Sequence, residues 1–169
     1  DENLQQLIAL YKKGQIRTVI KECELLTKEF PQSFLLWNML GAANNAQGKL
    51  DEAIAAYKKA LLIKPDYAEA HNNIGAVFQG QGKLDEAIAA LNKALLIKPD
   101  YVNAHRNLSA LKKYEYSDPQ IVQMEKLYAG TNISVENQCH LCFALAKSSE
   151  DLGNLEEAFR YLKEGNALR

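Results

Sequence analysis

The sequence predicts an all-α solenoid of about five helix-turn-helix pairs, and two observations carry that prediction. The stretch QGKLDEAIAAYKKALLIKPDY, residues 47–67, returns as QGKLDEAIAALNKALLIKPDY, residues 81–101, a spacing of 34 residues with 19 of 21 positions identical. Within each period, apolar residues recur at three- and four-residue spacing in two runs, divided by a glycine and closed by a proline. Such self-similarity marks a repeat array, in which each unit buries its apolar face only against its neighbours.

Each element follows from this pattern. Trp37, Leu40, Gly41 and Asn44 fall at i, i+3, i+4 and i+7, one face of a first helix. Gly48 stops that helix, because glycine takes the left-handed conformation that ends helices. Ala53, Tyr57 and Ala60 then form the buried stripe of a second helix, which Pro65 closes by forcing Lys64 out of helical geometry. Gly41 and Ala53 allow close approach of the two helices, and Tyr57 fills the wider space beyond. Upstream, Gly14, Val19, Cys23, Leu26 and Pro31 keep the 34-residue register. Downstream, His105, Leu108 and Ser109 open a further copy that loses its glycine and alanine markers. Tyr116–Gln120 reads as a fresh helix start, with Ser117 or Asp118 as cap and Pro119 in the first turn. A last copy is carried by Cys142, Leu145, Ala146, Gly153, Ala158 and Leu162, after an insertion of about three residues near 130–134. The predicted divisions are approximately 1–33, 34–67, 68–101, 102–138 and 139–169 of a single array.

The spacing resembles the tetratricopeptide repeat (TPR) family, whose pattern W-x2-L-G…A-x3-F…P is met by Trp37, Leu40, Gly41, Ala53, Tyr57 and Pro65. His71, Ile74, Gly75, Phe78, Ala87, Leu91 and Pro99 occupy the same sites in the next copy. The resemblance implies about ten helices in a right-handed superhelix whose first helices line a concave groove.

Composition excludes several function classes. A net charge of −1, with 20 basic and 21 acidic residues, lacks the electrostatic footprint of a nucleic-acid or anionic-membrane binder. No apolar run reaches the ~18 residues that a membrane span requires. Three cysteines argue against a disulfide framework and for a reducing, cytoplasmic setting. No phosphate-cradling loop, H-E-x-x-H or G-x-S-x-G occurs. Cys139-His140-Leu141-Cys142 has no second Cys or His pair to complete a zinc site, so it reads as packing. His71 and His105, at the Trp37 position, read as buried rings. No cofactor, metal or catalytic residue is expected, and the chain reads as non-catalytic.

Function is expected where the copies differ. First helices 34–45 and 68–79 share only Asn38/Asn72, Gly41/Gly75 and Ala42/Ala76, whereas the second helices are nearly identical. A scaffold helix repeats because its packing task repeats; a ligand-facing helix meets a new part of its partner in each copy. With Trp37, Leu40 and Asn44 turned inward, Leu35, Asn38, Ala42 and Asn45 share another face. Their counterparts are Glu69, Asn72, Ala76 and Gln79, then Asn103, Arg106, Ala110 and Lys113, with Asn73 and Asn107 alongside. This row is rich in amides, which offer donor and acceptor to any peptide backbone, and turns basic at Arg106, Lys112 and Lys113. The expected ligand-groove residues are therefore Asn38, Asn45, Asn72, Asn73, Gln79, Asn103, Arg106, Asn107 and Lys113, and the expected partner is an extended protein or peptide segment.

Two finer resemblances bear on this. HNNIG and HRNLS resemble the O-GlcNAc transferase superhelix, which implies that Asn73 and Asn107 grip a peptide main chain; Met39 stands at the matching place one repeat earlier. The Lys/Asn/Arg set of chaperone-binding TPRs is not matched, since the first two repeats lack lysines on this face. Residues 105–121 and 141–169 resemble the TPR region of bacterial TPR–sulfotransferase fusions. That implies an alternative in which the chain presents substrate to a sulfotransferase or glycosyltransferase domain lying beyond Arg169. The last helix lacks a polar capping helix, so self-association through it is a further expectation.

Overall fold

The structure, a computed structural model, describes residues 2–169. The helices are α1 (Glu2–Lys12), α2 (Ile16–Glu29), α3 (Phe34–Ala46), α4 (Leu50–Ile63), α5 (Ala68–Gly80), α6 (Leu84–Ile97), α7 (Val102–Ser109), α8 (Pro119–Tyr128), α9 (Val135–Asp151) and α10 (Leu155–Ala167). Ten helices and no strand occur among the described residues. They fall into two compact units, 1–83 and 84–169.

In the first unit, α1–α5 pack as successive neighbours, α3 against α4 most extensively. Its core joins Leu7, Val19, Ile20, Cys23, Leu36, Leu40, Ala43 and Ala56. The turns between paired helices are set by Gly14 and Gly48, each at φ +73°, a region costly to any residue with a Cβ. Gly41 has a different task from the one its spacing suggests. A Cβ there would stand 2.5 Å from Tyr57 Cε1, so the glycine makes room for the Tyr57 ring as much as for helix approach. That ring is 1% exposed, and burial pushes its hydroxyl well above the usual phenol range.

A second regularity links successive repeats. The Trp37 indole N–H donates to the Pro31 carbonyl at 2.9 Å, His71 Nε2 to Pro65 at 3.1 Å and His105 Nε2 to Pro99 at 2.8 Å. A carbonyl only accepts, so each imidazole carries its proton on Nε2. This corrects the expectation of two equivalent buried rings: His105 is buried, but His71 is only half-buried, and both tie the proline that ends one repeat to the helix that opens the next.

In the second unit, α9 is central, meeting α7, α8 and α10. Leu141, Leu145, Met124, Tyr114 and Tyr161 form its core, and Leu91, Ala94, Ala104 and Leu108 join α6 to α7. α8 starts as its sequence predicts, Pro119 following the cap Asp118, whose carboxylate accepts from Gln120 N–H at 3.0 Å.

Two expectations are corrected here. α7 stops at Ser109, so Ala110 and Lys113 lie on no helical row. Ser109 Oγ bonds back to the Arg106 carbonyl at 2.7 Å, an alternative to helix continuation. Beyond it the buried Tyr114 is held by its N–H donating to Asp151 Oδ2 at 3.0 Å. In α10, Tyr161 rather than Leu162 fills the core, with Leu162 41% and Tyr161 5% exposed. The cause is an edge-on partner: the Tyr128 ring lies 5.4 Å from Tyr161 at 85°.

Candidate functional site

In the first unit, three of the expected residues, Asn38, Asn72 and Asn73, are linked by side-chain amides. Asn72 Nδ2 donates to Asn73 Oδ1 at 3.4 Å, and Asn73 Nδ2 donates to Asn38 Oδ1 at 3.3 Å, joining α5 to α3. Asn72 is buried, Asn38, Asn73 and Gln79 are half-buried, and Asn45 is exposed. Because each oxygen in the Asn73–Asn38 relay already accepts, the groups left over on Asn38 and Asn73 include N–H donors. Such donors suit the carbonyls of an extended chain, at about 1 kcal/mol net each.

In the second unit, Asn103 and Arg106 are exposed and Asn107 half-buried, all on α7. Lys113 instead lies in the irregular segment after α7. It lines a cavity of about 730 Å³ with Leu95, Leu96, His105, Lys112 and Gln120. Lys112 pairs with Asp118 at 2.5 Å and sits 4.9 Å from the Tyr114 ring centroid.

Arg106 of α7 shares a cavity with residues of α9, among which sequence reasoning picked out only Cys139 and His140, as part of a packing motif. Arg106, Glu136, His140, Phe143 and Arg169 line one cavity of about 350 Å³. Burial and then the Arg106 charge hold His140 below the ordinary imidazole range, while Glu136 pulls the other way. The signal for this cavity was present in His140, which lay hidden inside a cysteine motif. The cysteines are structural: all three are free and buried, and Cys139 Sγ donates to the Gly165 carbonyl at 3.3 Å. Burial pushes the Cys23 and Cys142 thiols up to about 12, so neither is a nucleophile at neutral pH. Among the described residues no group of three or more His, Cys, Asp or Glu is placed to hold a metal ion. No helix of them is long and apolar enough to cross a membrane.

Two family models match: "TPR repeat" over residues 41–82 and "Tetratricopeptide repeat" over residues 68–101. Residues 41–101 carry tetratricopeptide repeats. Among solved structures, that of Pseudomonas aeruginosa pilF shares 18% identity at TM-score 0.79, with 100% of this chain and 76% of that one covered. The first TPR of Spaghetti, bound to the HSP90 peptide SRMEEVD, shares 19% at TM-score 0.62, covering 64% of this chain and 86% of that one. A mutant Thermobaculum terrenum O-GlcNAc transferase shares 22% at TM-score 0.65, covering 75% of this chain but only 25% of that one. At these identities the likeness shows the fold, an all-α TPR solenoid. Among curated proteins, none matches the chain. Repeats of this type commonly serve as protein–protein interaction scaffolds.

Proposed function

We propose that the TPR array is a non-catalytic module that grips an extended peptide or protein segment on the faces of its first helices. The observation that carries this reading is the Asn72–Asn73–Asn38 amide chain, which joins two successive first helices, elements whose copies differ at most other positions. Asn45 and Gln79 extend the proposed face in the first unit; in the second unit Asn103, Arg106 and Asn107 carry it on α7, with Lys113 in the irregular segment that follows. The proposed array is divided near 33, 67, 101 and 138. A peptide-bound TPR among the structural neighbours supports the ligand class. The test is binding of a captured peptide by the double variant Asn73→Ala/Asn107→Ala. Loss of affinity with an unchanged melting temperature is expected; unaltered affinity, or collapse of stability, contradicts the assignment.

A second reading is that the chain presents substrate for a larger sulfotransferase or glycosyltransferase. The likeness to one quarter of an O-GlcNAc transferase chain favours it. Coding sequence after Arg169 decides: a phosphosulfate-binding loop or a glycosyltransferase domain supports it, and a stop codon or unrelated domain disposes of it. Self-association through α10 belongs to the same set of proposals, supported by the exposed Leu155, Phe159 and Leu162 at i, i+4 and i+7. Three buried, unpaired thiols and the near-neutral charge support a cytoplasmic setting without nucleic-acid or membrane partners, and the sulfotransferase-fusion resemblance supports a bacterial source.

A further inference from the structure

We infer that the cavity bounded by α6, the irregular segment 110–118 and the start of α8 is a binding site for a small uncharged molecule with an apolar body and N–H or O–H donors. It shares only Lys113 with the proposed peptide surface and does not depend on that reading.

Three observations converge. The first is in the sequence. The copied stretches 47–67 and 81–101 differ at two positions only, Tyr57/Leu91 and Lys58/Asn92. Leu91 is fully buried in the core, whereas Asn92 is exposed and lines this cavity. At the one exposed position where the copies differ, a charged side chain gives way to a neutral amide on the cavity wall.

The second is the origin of the space. α7 has 8 residues where α3 and α5 have 13 each. Lys112, Lys113, Glu115, Ser117 and Asp118, all from the irregular segment that follows the shortened helix, line the cavity. Its volume, about 730 Å³, falls within the range of small-ligand sites, and Leu95, Leu96, Leu108 and Pro119 supply apolar walls.

The third is a pair of polar atoms. His105 is 2% and Gln120 8% exposed, and both side chains line the cavity. His105 Nε2 donates to the Pro99 carbonyl, and Gln120 Nε2 donates to the His105 carbonyl at 3.2 Å. Those bonds orient the two side chains and leave His105 Nδ1 and Gln120 Oε1 buried, with no hydrogen-bond partner among the described residues. Both leftover atoms are acceptors. Buried acceptors without donors are rare and costly, so a ligand that brings a donor to either atom relieves a cost the free protein carries.

Charge narrows the ligand class. Lys112 and Lys113 are balanced by Glu115 and Asp118, and Lys112 is paired with Asp118. An ion of either sign therefore meets a like charge on this lining. A neutral ring system carrying an N–H meets the apolar walls and the acceptors together.

The test titrates indole and 1-methylindole, which share a ring system and differ in the N–H, into the 169-residue chain and follows amide NMR shifts. Saturable shifts at Leu95, Leu96, His105 and Gln120 are expected with indole. 1-Methylindole should bind about tenfold more weakly, for want of one hydrogen bond. Gln120→Met and His105→Phe each remove one acceptor, so the preference for indole should vanish in one of them. Asn92→Trp, at an exposed position, should fill the cavity and weaken both ligands about tenfold with an unchanged melting temperature. The inference is overturned by an absence of saturable shifts, which leaves the two acceptors to bound water. Equal binding of 1-methylindole, a preference kept in both acceptor variants, or indifference to Asn92→Trp overturns it as well. A captured peptide should bind Asn92→Trp as tightly as the parent; a parallel loss would make the cavity part of the peptide surface and overturn the separate site.

Discussion

At the scale of single residues, glycine positions that look alike do different work. Gly48 is needed for its φ of +73° and has open space around a would-be Cβ, whereas Gly41 is an ordinary helical residue pressed against Tyr57. Gly48→Ala should cost about 1–2 kcal/mol through backbone strain alone. Gly41→Ala should cost about 1–3 kcal/mol through overpacking, and Gly41→Ala/Tyr57→Leu should recover part of it. Chemical denaturation of the four proteins checks both statements. The spacing of Gly41 was plain in the sequence, but the atom it makes room for was not, because a repeat pattern gives a residue's face and not the rotamer opposite. The ring-to-proline bonds were equally readable, six residues apart in three repeats, once ring N–H donors are matched to carbonyls. His105→Phe keeps the ring and removes the donor, so it should cost about 1 kcal/mol.

At the scale of elements, the copied helices α4 and α6 follow their sequence period closely, and departures gather where the period fails. α7 is cut to eight residues, and its lost turn is replaced by contacts to α9 that no local pattern encodes. Asp151 anchors them: burial opposes its ionisation, but bonds from Lys147 and the Tyr114 N–H outweigh burial and hold its carboxyl below the usual range. A carboxylate depressed in the folded state stabilises above its unfolded pKa, and that contribution is lost as pH falls through the folded value. Asp151→Asn should therefore destabilise by about 1–2 kcal/mol near neutral pH, and the difference from the parent should vanish in acid below the 3.8 of a free aspartate. Thermal melts across pH read this directly. α10 supplies the companion test of register. Tyr161→Leu should cost about 2 kcal/mol and Leu162→Ser almost nothing; the reverse order would restore the strict repeat alignment, which places Leu162 in the core.

At the scale of the whole molecule, fold and site differ in how far the sequence reveals them. Packing between repeats is periodic, so Ala53, Tyr57, Ala60 and their copies announce the solenoid. A binding face is aperiodic by its task, so it shows only as divergence, and its geometry needs tertiary contacts. The Asn73–Asn38 bond spans 35 residues, and the cavity around His140 unites helices that are far apart in sequence. The central claim is that ligand contacts lie on the divergent first helices and not on the copied second ones. Its most direct test is the affinity of one captured peptide for two triple variants, Asn38→Ala/Asn73→Ala/Arg106→Ala and Lys58→Ser/Lys59→Ser/Lys93→Ser. A loss of about tenfold or more in the first, with the second within about twofold of the parent, is the expected result. Equal losses, or a larger loss in the lysine variant, would contradict it.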